Sequence, residues 1–259
     1  FDGHGENGAV VSQFVTETMA GDLASYLQES KDKFSSNAFQ NKMKQLFEDT
    51  DEQLQASLGE YYGFEFDGST GSIAVRRGKD LVVANVGDTR CIIGTVDGKV
   101  KRLTKDHTPY LVTERRRIQK SGGVVASFPD EPPPEVSGKG RVFVDGQLFP
   151  GLAVARAFGD TVAKSVGVTV TPDVIYRGLG KKDQVLIIAS DGVWDVVTDE
   201  QAVEIAQIHA ARKDAVLTAA DLVETARYNW EQFQEEFVAD GGDKRDFSID
   251  DISAVALFF

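Results

Sequence analysis

Two long helical patterns precede the first strand, and that order restricts the fold more than any other feature of the chain. Val10, Val11, Phe14, Val15, Met19, Leu23 and Leu27 recur at helical spacing, and Phe39, Met43, Leu46, Phe47, Leu54 and Leu58 repeat the pattern. The period then changes. GSTGSIAVRRGKDLVVANVGDTRCIIGTVDGKVKRLT is a series of short β-branched runs separated by RGKD, GDTR and VDGK, and predicts an antiparallel meander. PYLVTERRRIQKSGG returns to helix, with Gly122 and Gly123 as its stop. VVASFPDEPPPEVSGKG predicts a loop, because Pro132 to Pro134 suit neither a helix interior nor a central strand. RVFVDGQLF predicts a hairpin turning at Asp145 and Gly146, and GVTVTPDVIYRGL and DQVLIIAS predict strands. TDEQAVEIAQIHAARKDA and TAADLVETARYNWEQFQEEF predict amphipathic helices, the first capped by Thr198 with Glu200 and Gln201. DISAVALFF predicts a closing strand. Helices first, strands next and a mixture last lack the regular alternation of a doubly wound parallel sheet. An α+β fold fits the order better: an α-β-β-α sandwich of two antiparallel sheets flanked by helices.

Composition narrows the functions. With 259 residues, 41% of them hydrophobic, the chain can bury a sizeable core. A net charge of −13 repels nucleic acid and anionic membrane, so neither is an expected partner. Cys91 is the only cysteine, which excludes an intrachain disulfide and suits a reducing compartment; the cytoplasm is the expectation, with the nucleus as the alternative. Cys91 lies in the apolar run TRCIIG and reads as a small buried residue, not a nucleophile. No run approaches the ~20 apolar residues of a spanning helix, and no signal peptide is visible. The chain begins without Met, inside what reads as a motif, so upstream residues are expected. A monomer is the expected state.

The opening FDGHGENG holds two acids, a histidine and three glycines in eight residues. By itself it predicts an exposed polar turn capping the next helix, with Asn7 near the helix start. Acids recur in similar settings. Leu186 to Ala189 form an apolar run that breaks at Asp191-Gly192, and Asp195 follows four residues later. Asp250 and Asp251 precede the last strand, and Asp106 and His107 stand in LTKDHTP. A carboxylate at the end of a buried strand costs desolvation unless it is paired or bound to metal. Many carboxylates with only three histidines, His4, His107 and His209, make a hard-oxygen set that suits Mg²⁺ or Mn²⁺. Any one Asp-Gly is most simply a turn; four acid-bearing turns at strand ends are harder to set aside.

FDGHGENG, DGSTGSIAV, LVVANVGDTR, DHTP, GLAVARAFGD, LIIASDGVWDVV and DDISAVALF occur in the order found in the metal-dependent protein phosphatase 2C family, which the chain resembles from residue 1 to residue 259. The resemblance implies a single phosphatase domain over residues 1–259, lacking its first N-terminal strand, with a flap subdomain at residues 124–170 beside a metal cleft. It implies hydrolysis of phosphoserine and phosphothreonine in phosphorylated protein substrates by a metal-activated water. Two Mg or Mn ions, with a third held more weakly, are the implied cofactors. Asp2 would bridge two metals, the Gly3 carbonyl would bind one of them, and Asp191 and Asp250 would complete the other. Asp106, Asp191 and Asp195 resemble the acids of the weaker site, and His4 resembles the general acid for the leaving alkoxide.

The match also departs from the family. Its upstream acidic ligand and phosphate-binding arginine have no counterpart after Phe1, and Asp250-Asp251 stands where the family has Asp-Asn. SFPDEPPPEVSGKG falls in the flap region as a solvated insertion or a determinant of substrate choice. Ser69 and Thr70 are expected to be structural and Arg156 to form a buried ion pair. Arg115, Arg116 and Arg117 read as a solvated helix face, Trp194 as a packing anchor and His209 as a surface or packing residue. The competing reading is a catalytically inactive phosphatase fold used as a binding module.

Overall fold

The N-terminal patterns fold as expected in the computed structural model, which describes residues 1–259. After β1 (Asp2–His4) come α1 (Gly8–Glu29) and α2 (Asn37–Tyr62). Ser36 caps α2 by accepting from the Phe39 N–H at 3.2 Å, and Gly63, at φ +75°, closes it. The next strands are β2 (Gly68–Arg77), β3 (Asp80–Val86), β4 (Arg90–Thr95) and β5 (Val100–Arg102). Then follow α3 (Val112–Lys120), β6 (Gly123–Ala126), α4 (Pro134–Ser137), β7 (Arg141–Val144), β8 (Pro150–Leu152) and β9 (Phe158–Gly159). The chain ends through α5 (Thr161–Ser165), β10 (Asp173–Gly178), β11 (Asp183–Ala189), α6 (Asp191–Trp194), α7 (Asp199–His209), α8 (Ala215–Ala239) and β12 (Ala254–Phe258). The chain divides into two compact units, residues 1–88 with 106–177 and residues 89–105 with 178–259.

The first unit is built on a sheet ordered β1-β2-β3-β10, with β9 also pairing β2. Val11, Val15 and Met19 of α1 and Phe39, Met43, Phe47 and Leu54 of α2 are buried with Val82, Ala84 and Val86 of β3. Each large side chain taken from water contributes about 1.5–3 kcal/mol, so these two helical faces carry much of the unit's stability. A second, three-stranded antiparallel sheet, β6-β7-β8, covers a small core of Ile118, Val142, Ala155, Ala163 and Val166.

The second unit holds a four-stranded antiparallel sheet ordered β12-β11-β4-β5. Ile92, Val185 and Ile187 pack with Val203 and Ala206 of α7 and Leu222 and Ala226 of α8. The capping box at the start of α7 is present, with Thr198 and Gln201 satisfying each other's backbone N–H groups. The antiparallel sheets with associated helices are the fold class read from the sequence. No helix is long and apolar enough to cross a membrane.

Several local expectations are corrected. The opening is a strand rather than an exposed turn: Asp2 to His4 pair with Thr70 to Gly68, and the Phe1 ring lies where Gly71 has no side chain. Asn7 occupies the N-cap position of α1, but its side chain donates to Asp67 Oδ2 at 2.9 Å instead of capping. The meander divides. β3 pairs with β2, whereas β4 pairs with β11 and β5. Both β3 and β4 are continuously buried after their first residue, and each takes its second neighbour from a strand distant in sequence, β10 for β3 and β11 for β4. The proline-rich stretch is not all loop: it opens with β6 and includes the one-turn helix α4, with Pro134 at its start.

Candidate active site

In the first unit β1 presents Asp2, Gly3 and His4 in succession. Gly3 has a packing role of its own. A Cβ there would lie 2.2 Å from the Gly8 carbonyl oxygen, so α1 can start this close to the strand only over glycine. Ser69 donates to the Asp2 carbonyl at 3.0 Å and also to the Thr70 carbonyl, the structural role expected of it. Asp106 lies half-buried on the segment between β5 and α3.

The His4 ring meets a residue for which no role was expected. His4 Nε2 is 2.7 Å from Asp160 Oδ2, and the Asp160 side chain is only 1% exposed. Burial alone would lower the His4 pKa; the Asp160 charge and hydrogen bond, with the charges of Asp88 and Asp2, outweigh it and raise the pKa above the ordinary value. Asp160 ends the motif GLAVARAFGD, and the available clue was an acid after Gly, a residue type that tolerates the left-handed region.

In the second unit Asp191 opens α6 and Asp195 caps its C-terminal end, where the Asp195 N–H donates to the Asp191 carbonyl at 2.8 Å. Gly192 between them lets residues 250–251 approach, since a Cβ there would stand 2.3 Å from the Asp251 carbonyl oxygen. Ser190 fixes the approach: its hydroxyl donates to the Asp251 carbonyl at 3.0 Å and accepts from the Ser253 N–H at 3.1 Å. Trp194 donates to the Ala189 carbonyl and Trp230 to the Gly192 carbonyl, each at 2.7 Å, so two indoles pin the turn. Burial, then the charges of Asp191, Asp251 and Asp195, raise the Asp250 pKa. Asp191 Oδ1 is buried and makes no hydrogen bond. A buried, unbonded carboxylate oxygen among mutually repelling acids is costly unless a cation balances it. An all-oxygen set of this kind fits Mg²⁺ or Mn²⁺. Within neither unit do three His, Cys, Asp or Glu side chains close into a metal cage by themselves.

Arg156 and Arg117 are both engaged by carboxylates and carbonyls of the first unit. Arg156 forms a two-pronged pair with buried Glu114, at 2.9 and 2.8 Å, and reaches Asp173 at 2.9 Å. This is the ion pair expected of it. Arg117 departs from the solvated face: it bonds Glu114 at 2.6 Å and the carbonyls of Gly167 and Ala155. His107 Nε2 stands 3.2 Å from Asp173 Oδ2, and that contact, with Arg156, holds the Asp173 pKa far below the carboxylate range despite partial burial. His209 pairs with Asp221 at 2.7 Å. Cys91 is fully buried, and burial pushes its thiol pKa up, away from nucleophilic use.

Comparison with known proteins gives a consistent result. The family described as "Protein phosphatase 2C" matches residues 1–230. "Probable protein phosphatase 2C 72" of Arabidopsis thaliana is 32% identical over 267 residues, covering 100% of this chain and 75% of that protein. "Probable protein phosphatase 2C 64" of Oryza sativa subsp. japonica is 37% identical over 237 residues, covering 89% of this chain and 53% of that protein. Among solved structures, the serine-threonine phosphatase 2C from Toxoplasma gondii superposes with a TM-score of 0.65 at 25% identity, over 98% of this chain and 79% of that one.

Proposed function

The chain belongs to the protein phosphatase 2C family, and from that premise we propose that it hydrolyses phosphoserine and phosphothreonine in proteins by direct attack of water, with no covalent enzyme intermediate. The observation that carries the reading is the buried, unbonded Asp191 Oδ1 beside Asp250, whose pKa is raised by burial and then by its neighbours' charge. A bound cation would offset the cost of that buried, unbonded oxygen.

Bound Mg²⁺ or Mn²⁺ lowers the pKa of a water and offsets phosphate charge. By the family resemblance the donors to the ions would be Asp2, the Gly3 carbonyl, Asp191 and Asp250, and Asp106, Asp191 and Asp195 would serve a weaker site. His4 hands a proton to the departing serine or threonine oxygen, a role that suits an imidazole at neutral pH. An acidic chain can thus act on an anionic group because cations set the local field.

The test is phosphate release from a phosphothreonine peptide with Mn²⁺ and after chelation. Release that requires Mn²⁺ and falls at least ~100-fold in Asp191→Ala is expected. Metal-independent release, or full activity in Asp191→Ala, would overturn the assignment. A folded protein silent under all conditions would favour the binding-module reading.

A further inference from the structure

We infer that Asp160 is the positioning residue for His4, fixing the ring so that Nδ1, not Nε2, is the nitrogen that delivers the proton. The inference rests on the proposed phosphatase reading. A carboxylate only accepts, so the 2.7 Å contact between Asp160 Oδ2 and His4 Nε2 requires the proton on Nε2. Nδ1 is then the nitrogen left to work. In the step, the imidazolium, protonated on both nitrogens, gives its Nδ1 proton to the leaving alkoxide oxygen as the oxygen–phosphorus bond breaks, while the other proton stays on Nε2, hydrogen-bonded to Asp160, and the ring is left as the neutral Nε2–H form.

Three observations distinguish this contact from an incidental ion pair. The first is backbone conformation. Asp160 sits at φ +47°, in the left-handed region that few non-glycine residues adopt. The second is the support around it. Its N–H donates to the Asp67 carbonyl at 2.9 Å, the Thr161 N–H to the Phe64 carbonyl at 3.0 Å, and the Gly159 N–H to Asp51 Oδ1 at 2.8 Å. Asp51 also holds Lys164, one turn after Asp160. The third is the empty space at Gly68, which pairs with both His4 and Gly159. A Cβ on Gly68 would lie 2.1 Å from Asp160 Oδ2 and 2.6 Å from His4 Nε2, so the hydrogen bond passes directly over this glycine. Asp67, the residue before it, takes the Asn7 N–H at 3.0 Å, which ties the end of the His4 turn to the same support. A loop held in a sparsely populated conformation, over a glycine that leaves room for one bond, is the arrangement that keeps a ring in one orientation.

The test combines a tautomer measurement with kinetics. Asp160→Asn keeps an acceptor and tolerates the left-handed backbone. Asp160→Gly removes the acceptor while favouring the same backbone, so loss of folding is not built into the comparison. Long-range ¹H–¹⁵N spectra of the histidine rings read the tautomer directly without turnover, and only three histidines must be resolved. For the neutral ring, read at a pH where His4 is deprotonated, the Nε2–H form is expected in the parent and in Asp160→Asn, and a mixture in Asp160→Gly. With Mn²⁺, Asp160→Gly should lose about 100-fold in kcat on a phosphothreonine peptide, with little change in KM, but only a few-fold on an aryl phosphate. Asp160→Asn should recover most of the loss. An Nδ1–H tautomer in the parent, an unchanged tautomer in Asp160→Gly, or equal slowing on both substrates would overturn the inference. A parent that shows Nε2–H yet hydrolyses neither substrate would sink the phosphatase reading and, with it, the delivering role of Nδ1, while leaving the ring contact intact.

Discussion

Gly68 and Gly21 show how differently one residue type can be constrained. At Gly68 any side chain meets Asp160, His4 and the Phe158 carbonyl. Gly21, within α1, has nothing within 4 Å of the place where a Cβ would go. Gly68→Ala should therefore cost about 1–3 kcal/mol, as overpacking does, and should depress hydrolysis of alkyl phosphates more than aryl ones. Gly21→Ala should stabilise by about 0.5–1 kcal/mol, because alanine loses less freedom in a helix. Urea titrations of the two variants beside the parent check both signs. If Gly68→Ala were as stable and as active as Gly21→Ala, the close approach at Gly68 would be wrong.

At the scale of elements, α3 is joined to β10 and to the segment around Arg156 by buried charge. Burial pushes the Glu114 pKa up, but Arg156 and then Arg117 outweigh it and hold it below 4.5. A carboxylate whose folded pKa is lowered stabilises the fold fully above its unfolded pKa and loses that contribution as pH falls through the folded value. Asp173 acts in the same direction. Glu114→Gln should cost about 3 kcal/mol at pH 7, since it leaves Arg156 poorly balanced. It should also flatten the loss of stability below pH 4.5; curves that stay parallel down to pH 3 would refute the role of this pair. Elements such as these differ in how well a sequence announces them. The buried faces of α1 and α2, the capping box at Thr198 and the closing strand are local patterns and were legible. β1 was not, because its partner β2 lies more than sixty residues away and its alternation is too short to detect. Asp160 escaped for a related reason: its meaning depends on a contact 156 residues distant. The acids of α6 and residues 250–251 were legible because apolar strand ends advertise them, while their mutual repulsion needed coordinates.

For the whole molecule, 41 acidic residues against 28 basic ones leave a field that extends beyond any single contact. Phosphopeptides flanked by arginine should be turned over with a several-fold higher kcat/KM than glutamate-flanked ones at low ionic strength. The advantage should vanish near 1 M salt, where the screening length is about 3 Å. A ratio that ignores salt would place the selectivity in local contacts instead. Connectivity also matters at this scale. β4 lies between β5 and β11, and β11 is synthesised about 90 residues after it. Translation at about 5–20 residues per second leaves the apolar Cys91–Ile93 stretch without its permanent neighbour for roughly 5–20 s. During biosynthesis that strand edge stays open to pairing with other chains, a period of aggregation risk that ends only when β11 emerges.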